Sequence, residues 1–260
     1  MENIHLKDYL VSRVLSTGRQ VDGYKEIYYQ TTEDLIIPYI DVDFYNKEVL
    51  SVLASSDHIF TARYLEAKKV DAFDINRLAL YYFYLRIWSI KYMNTLYPPI
   101  LEDDTFLEKL LPKVKPSTEM EKVALWFYQK HLENGTNFFY LFNRVDKQPL
   151  GRTLFTKPEE LQDCLDSNLT FYNIDLFTRF NLTSTYDILL ISNILDWARN
   201  DTTRLQIAAE NISKLLKRDG AVICHSLVSR TKEEKKKEQE IFNNDFYLEE
   251  QEKGYVYIKR

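Results

Sequence analysis

Polar residues with possible ligand-binding roles follow two short apolar runs near residues 50 and 72. The apolar run 49–54 leads into the turn "ASSD" (54–57), and the second run, "KVDAFDI", carries Asp74 near its end. Between them, residues 58–67 have the amphipathic spacing of a helix. The stretch therefore predicts a strand–turn–helix–strand unit that ends in an acidic residue, as nucleotide-binding βαβ units do.

The turn contains no glycine, although a pyrophosphate site needs glycine for close approach of the backbone. Asp57 would repel a pyrophosphate, which argues against a nicotinamide-dependent oxidoreductase, but it suits a cation such as an amino-acid ammonium. A ligand with adenosine at one end and such an ammonium at the other is S-adenosylmethionine. Asp74 is then placed to accept hydrogen bonds from ribose hydroxyls, each contributing about 1.5–3 kcal/mol. Simple helix N-cap roles for both aspartates stay open beside this interpretation.

Composition restricts the class of partner. The chain has 260 residues, 45% of them hydrophobic, which is enough for a substantial core. Its net charge of -5 and sequence pI of about 5.5 give no excess of Lys and Arg to follow a phosphate backbone, so no nucleic acid is expected. The two cysteines lack zinc-type spacing, so no metal site is predicted, and Cys224 is interpreted as a buried strand thiol.

No signal-peptide core or uninterrupted membrane-length run is present. The longest apolar run, 78–97, contains Arg86 and Lys91. We therefore expect no transmembrane segment and a cytoplasmic location.

Strands and helices alternate along the chain, which is typical of a mostly parallel sheet covered on both faces. The helix at 203–219 is predicted to stop at Gly220. "FYLEEQEKGYVYIKR" predicts a terminal hairpin that adds an antiparallel edge. Between the strands that end near Ile75 and begin near Leu169 the pattern is helical, which predicts an inserted helical subdomain beside the carboxyl ends of the strands.

The stretch "VLSVLASSDHIF…LEAKKVDAFDINRLALYYFYLRIWSIK" resembles the first βαβ unit of the class I S-adenosylmethionine-dependent methyltransferase superfamily. Within it, the stretch is most similar to the betaine-lipid group, whose enzyme transfers a 3-amino-3-carboxypropyl group to diacylglycerol. "YYQTTEDL" and "YDILLISNILDWA" also look like elements of this family.

The resemblance implies a Rossmann-like fold with a mostly parallel seven-stranded sheet, an antiparallel C-terminal edge and a helical insertion after the second strand. It implies a cap at 1–45 and a cofactor-binding domain at 46–260 with its insertion at 77–165. The activity it implies is transfer of a methyl or 3-amino-3-carboxypropyl group to a small-molecule or lipid-like acceptor.

The resemblance also implies site residues for S-adenosylmethionine. The methionine end would be lined by Ala54, Ser55 and Asp57, and the ribose and adenine by Asp74, Ile75, Asn76, Asp175 and Leu176. Ser192 and Asn193 would face the donor carbon, and Thr31, Thr32 and Glu33 would close over the site. No catalytic residue is assigned.

Structural interpretations compete with some of these functions. His58 is interpreted as a first-turn helix residue, and His225 as a core or strand-end residue. The aromatic run at 78–97 is interpreted as a packed helix, with a wall for an apolar substrate as the alternative. The absence of glycine and of an evident base leaves a second function open, a non-catalytic binding module on a methyltransferase scaffold.

Overall fold

The structure is a computed structural model of the chain. It describes residues 27–28, 30–31, 33–36, 39–100, 103, 105–133, 135, 142–143, 151–198, 200–225, 231–243, 245–251 and 254–260. The predicted N-terminal helix at 6–17, most of the predicted cap, and Thr32 lie outside the described residues.

The described elements follow the predicted alternation. The strands are β1 (Ile27–Tyr28), β2 (Glu48–Val52), β3 (Lys69–Phe73), β4 (Phe142–Asn143), β5 (Phe171–Tyr172), β6 (Tyr186–Ser192), β7 (Leu216–Cys224), β8 (Phe246–Gln251) and β9 (Gly254–Lys259). The α-helices are α1 (Asp57–Tyr64), α2 (Arg77–Met93), α3 (Phe106–Leu110), α4 (Glu119–Glu133), α5 (Thr202–Leu215) and α6 (Lys232–Phe242). Short 3-10 helices lie at Tyr39–Asp41, Leu111–Lys113, Pro158–Cys164 and Ile194–Ala198.

Seven strands form one sheet in the order β5-β3-β2-β6-β7-β9-β8, and β1 pairs separately with β4. Five of the seven, β5, β3, β2, β6 and β7, are mutually parallel. In this sheet β9 runs antiparallel to both of its neighbours, β7 and β8, so the terminal hairpin forms the predicted edge. The predicted fold class, a Rossmann-like α/β fold with a mostly parallel sheet, is therefore confirmed.

Successive strand residues point to opposite sides of the sheet, and helices cover both sides. Val49 belongs to a core that contains residues of α1, α2 and α4, whereas its neighbour Leu50 belongs to a core that contains residues of α5 and α6. Parallel strands buried on both faces are near-continuously apolar, which explains runs such as "VLSVL" and "YDILLIS".

The aromatic run forms α2, which is buried almost all round. Tyr82 and Phe83 are fully buried, and Trp88 donates its Nε1–H to Glu121 of α4 over 3.3 Å. Residues between β3 and β5 are helical in α2, α3 and α4, but their division into a separate insertion remains a prediction. None of the described helices combines the length and apolar character that a membrane-spanning helix requires.

The predicted helix stop at Gly220 is wrong. Helix α5 ends at Leu215, and Gly220 lies inside β7. Buried Leu216 already pairs with Tyr186, while the next pair is Ala221 with Ile188, so residues between them bulge out of the ladder. Gly220 is needed in this bulge because an added Cβ would lie 2.9 Å from the backbone carbonyl oxygens of Asp187 and Lys217.

The N-terminal strap, residues 30–36 apart from Thr32, lies across this fold and is held by a second chain segment. Leu35 N donates to Arg152 O over 2.8 Å, and Gly151 N donates to Thr31 O over 2.9 Å. A Cβ on Gly151 would lie 1.9 Å from the carbonyl oxygen of Glu33. Only glycine therefore fits where the two segments meet.

We expect Gly151→Ala to lower the free energy of unfolding by about 1–3 kcal/mol, because the strap must move to admit the methyl group. Arg152→Ala is the matched control. It removes only an ion pair with Asp34 in which the arginine side chain is 57% exposed, and should cost less than about 1 kcal/mol. Urea unfolding of both variants measures the difference, and equal losses would show that the close approach does not matter.

Candidate functional site

The candidate site lies where the carboxyl ends of the central parallel strands meet. Strand β2 is flanked by β3 on one side and β6 on the other, so the chain order reverses at β2. Ligands of open α/β sheets bind outside the carboxyl ends of the strands at such a reversal. The turn after β2, Asp74 after β3, and Ser192 at the end of β6 all lie at this edge.

Three residues at this edge have a strained backbone. Ala54, Ser56 and Ser192 have φ angles of 41°, 73° and 54°, in the left-handed region that side chains other than glycine rarely adopt. Such conformations each cost about 1–3 kcal/mol and cluster at functional sites. The turn after β2 therefore takes glycine-like conformations without containing glycine.

Asp57 has a partner that the sequence prediction missed. Its carboxylate is fully buried and receives Arg86 Nη1 at 2.6 Å and the Tyr97 hydroxyl at 2.9 Å on Oδ1. On Oδ2 it receives Ser55 Oγ and the strap amide of Thr31, each at 2.8 Å. That Asp57 binds a ligand ammonium stays a prediction, and in the structure Arg86 already balances the charge of Asp57.

Arg86 lies in the middle of α2 and is fully buried. Its Nη1 also donates to Ser55 O over 2.8 Å, and its guanidinium carbon lies 4.2 Å from the Tyr97 ring centroid. The sequence contained a sign of this pair. A charged residue inside an otherwise apolar helix must find a buried partner.

Asp74 bridges the ends of β2 and β3. Its Oδ2 accepts from Ala54 N over 3.0 Å and its Oδ1 from Asn76 N over 2.8 Å. Burial raises the pKa of Asp74 to about 6, against the opposing effect of these backbone donors. Ile75 N is a third backbone donor to this carboxylate. Because a carboxylate has about four acceptor positions, this partly exposed group keeps capacity for a ligand donor.

The structure brings some of the remaining predicted residues to this edge. Ile75 is 42% exposed beside Asp74, whereas the Asn76 side chain caps α2 by accepting from Leu78 N. Asp175 accepts from Phe177 N and is partly buried. Leu176 is 2% exposed in the core, so its side chain does not offer a surface for an adenine ring.

Glu33 of the strap is buried among three polar side chains at the same edge. Its Oε1 accepts from Ser192 Oγ, and its Oε2 lies 3.2 Å from His58 Nε2 and 3.1 Å from His225 Nδ1. Burial raises the pKa of Glu33, but His225, His58 and Ser192 outweigh it and lower the pKa to about 2. Glu33 is therefore an anion at neutral pH.

Each histidine is also held through its second ring nitrogen. Tyr39 OH lies 2.5 Å from His58 Nδ1, and His225 Nε2 lies 3.1 Å from Asp34 O. Burial lowers the pKa of His225, and Glu33 opposes this effect. Burial, together with Glu33, raises the pKa of Tyr39 well above its usual value.

The sequence analysis named Glu33 and Ser192 as site residues but missed that Tyr39, His58 and His225 form a cluster with them. The two histidines follow the ends of parallel strands β2 and β7, which meet at one edge, so their proximity could have been inferred. Glu33 comes from a segment without periodicity; the resemblance to the family implies that it closes over the site, but no pattern predicts that it lies between the two histidines. Asn193, beside Ser192, accepts from Ser192 Oγ over 3.2 Å.

A groove of about 600 Å³ opens elsewhere, beside the amino end of β3, with Lys69 and Asp71 in its wall. None of the predicted site residues lines it. Its arginine, Arg63, is engaged by the carbonyl oxygens of Cys164 and Asp166, at 3.1 and 2.6 Å. The strand ends are therefore the better candidate site.

No protein-family model matches the chain, and no curated protein matches its sequence. Among solved structures, the chain is similar to a methyltransferase from Pyrococcus furiosus, at 9% identity and a TM-score of 0.40, covering 100% of this chain and 99% of that one. It is similar to a TehB-like SAM-dependent methyltransferase from Corynebacterium glutamicum, at 9% identity and a TM-score of 0.40, covering 98% and 99%.

The N-methyltransferase NodS from Bradyrhizobium japonicum is similar at 10% identity and a TM-score of 0.38, covering 83% of this chain and 86% of that one. Likenesses at this level carry no argument about the ligand or reaction of this chain.

We expect Arg86→Met to lower the free energy of unfolding by about 3–5 kcal/mol, because it leaves Asp57 buried and unpaired. The double variant Asp57→Asn/Arg86→Met should recover a large part of this loss, since it removes the unpaired charge. Urea unfolding of wild type and of the single and double variants measures both effects. A double variant less stable than Arg86→Met would contradict the pairing.

The lowered pKa of Glu33 predicts a pH dependence of stability. A carboxyl with a lower pKa in the folded protein stabilises it above the unfolded-state pKa and loses that contribution as pH falls through the folded value. For Glu33 this window runs from about 4.5 to about 2. Across it, the stability advantage of wild type relative to Glu33→Gln should fall by up to about 3 kcal/mol.

Urea unfolding at several pH values in this window measures that difference, with exposed Glu108→Gln as the matched control. A difference between wild type and Glu33→Gln that stays constant would contradict the assigned interactions.

Proposed function

We propose that this chain is an S-adenosylmethionine-dependent methyltransferase that binds its donor at the carboxyl ends of β2, β3 and β6. The observation that carries the proposal is Asp74, a partly exposed carboxylate directly after β3 at the point where the order of strands reverses. A ribose presents two neighbouring hydroxyls, and a carboxylate with free acceptor positions suits both.

The fit of the donor differs between its two ends. At the ribose end, Asp74 would hold the hydroxyls, exposed Ile75 would lie against the adenine, and Asp175 lies on the neighbouring strand connection. At the methionine end, Arg86 occupies the carboxylate of Asp57. The ammonium therefore needs a partner other than Asp57, and Glu33 is a further anion at the described strand ends.

Methyl transfer is favoured over aminocarboxypropyl transfer because the serines of the turn after β2 are buried within the protein. The stretch that resembles the betaine-lipid group contains the serines of the turn "ASSD", but Ser55 directs its hydroxyl to Asp57 and Ser56 is fully buried. Mass spectrometry of the by-product separates the two reactions. S-adenosylhomocysteine indicates methyl transfer, and methylthioadenosine indicates transfer of the larger group.

We expect Asp74→Ala to weaken binding of S-adenosylmethionine at least about tenfold, because hydrogen bonds to a charged acceptor are lost. Isothermal titration calorimetry measures the dissociation constant, and circular dichroism checks that the variant is folded. Asp163→Ala, which removes an exposed carboxylate away from the strand ends, is the matched control. An unchanged constant for Asp74→Ala would remove Asp74 from the site.

A specific observation favours a second candidate, a non-catalytic module. The strap covers the strand ends, with Thr31 and Glu33 both buried, and the turn after β2 is closed by the Asp57–Arg86 pair. An absence of binding heat at millimolar S-adenosylmethionine would favour this second function over the first.

A further inference from the structure

Two buried acceptor atoms face each other at the strand ends. Glu33 Oε2 and His225 Nδ1 lie 3.1 Å apart, and among the described residues neither makes a well-aligned hydrogen bond, although His58 Nε2 approaches Glu33 Oε2 to 3.2 Å. The residues are 5% and 2% exposed, so bulk water does not satisfy these atoms. A buried polar atom left without a partner costs about 1–3 kcal/mol, which requires an explanation.

One contact of His225 indicates which nitrogen carries the hydrogen in the neutral ring. Nε2 is 3.1 Å from the carbonyl oxygen of Asp34, which can only accept, so Nε2 carries the hydrogen. In the neutral ring Nδ1 then has a lone pair directed at the Glu33 carboxylate. One added proton would turn this repulsive contact into a charge-assisted hydrogen bond.

His58 does not compete for that proton. Tyr39 keeps its hydroxyl hydrogen and can donate it to His58 Nδ1, which leaves His58 Nε2 as a donor towards Glu33. The charged and titratable groups around His225 are thus Glu33, His58, Tyr39 and Asp34, and Cys224 precedes it in β7. Among these groups, His225 Nδ1 is the position prepared to gain a proton.

The pair is connected to the candidate site through Ser192. This residue ends β6, donates its hydroxyl to Glu33 Oε1, and accepts the backbone N–H of His225 on its carbonyl at 2.9 Å. Its left-handed φ of 54° holds it at the edge where the donor carbon was expected. At 7% exposed, Ser192 is the most exposed member of the cluster and the one that a ligand at this edge would contact.

We propose that Glu33 and His225 form a buried pair that takes up the proton released by the acceptor, acting through Ser192. This inference rests on the proposed function. As the acceptor oxygen or nitrogen bonds to the methyl carbon, the carbon–sulfur bond breaks, its electron pair stays on sulfur, and the acceptor loses its proton. Ser192 Oγ takes that proton while its own passes to Glu33 and then to His225 Nδ1.

Glu33 and His225 are positioning residues here, since only Ser192 would touch the acceptor. The arrangement follows the general logic in which a buried carboxylate orients an imidazole and stabilises the imidazolium that forms.

Nuclear magnetic resonance of protein labelled with ¹⁵N-histidine tests the pair directly, with His225→Asn to assign the signal. At pH 7.5 we expect His225 Nδ1 to carry no hydrogen. S-adenosylmethionine, whose sulfonium would lie nearby, should lower the proton affinity of His225 at least about threefold, half a pKa unit. S-adenosylhomocysteine, which lacks the sulfonium charge, should have a smaller effect.

Two variants complete the test. Glu33→Gln should lower the proton affinity of His225 at least about tenfold, because the stabilising anion is gone, whereas Glu108→Gln should leave it unchanged. A proton already on Nδ1 at pH 7.5, or an unchanged affinity in Glu33→Gln, would overturn the inference.

Calorimetry on the same samples separates the two levels of failure. If S-adenosylmethionine binds and the His225 titration does not move, the pair has only a structural role and the inference alone fails. If the ligand does not bind, the proposed function fails, and the inference falls with it.

Discussion

A carboxylate that leaves water must find a partner, and the carboxyl edge of this sheet is organised around two that do so. Asp57 joins the turn after β2, helix α2 and the strap, through Arg86 and the amide of Thr31. Glu33 joins the strap to the ends of β6 and β7 and to the start of α1, through Ser192, His225 and His58. These contacts hold the strap in place: its Thr31 amide donates to Asp57, and Glu33, which belongs to the strap, contacts Ser192, His225 and His58.

This constraint also explains how a glycine-free turn can occupy the place of a nucleotide-type loop. Groups of the turn and its surroundings hydrogen-bond to one another. The side chains of Ser55 and Arg86 donate to Asp57, and the backbone N–H of Ala54 donates to Asp74. These contacts hold Ala54 and Ser56 in left-handed conformations that glycine would adopt freely. The turn is thus rigid and electrically balanced, and Asp74 is the carboxylate that keeps acceptor capacity towards a ligand.

The fold could be predicted from the sequence because its signals are local. The alternation of "VLSVL", an amphipathic helix and "KVDAF" predicts β2, α1 and β3, and the apolar run at 186–192 predicts β6. The prediction at Gly220 was wrong because a glycine that follows a helical pattern can either end the helix or lie in a β-bulge. Only the pairing of Leu216 with Tyr186 distinguishes the two. The site was harder, because partners such as Glu33 and His225 are 192 positions apart (225 − 33) and no periodicity connects them.

The central claim is that the donor binds at the carboxyl ends of β2, β3 and β6 with Asp74 on its ribose. A crystal structure of the protein soaked with S-adenosylmethionine tests it most directly. The account predicts density with the ribose hydroxyls on the Asp74 carboxylate and the sulfonium towards Ser192. Density for the ligand elsewhere, or clear density for the strap and strand ends with no ligand between them, would contradict it.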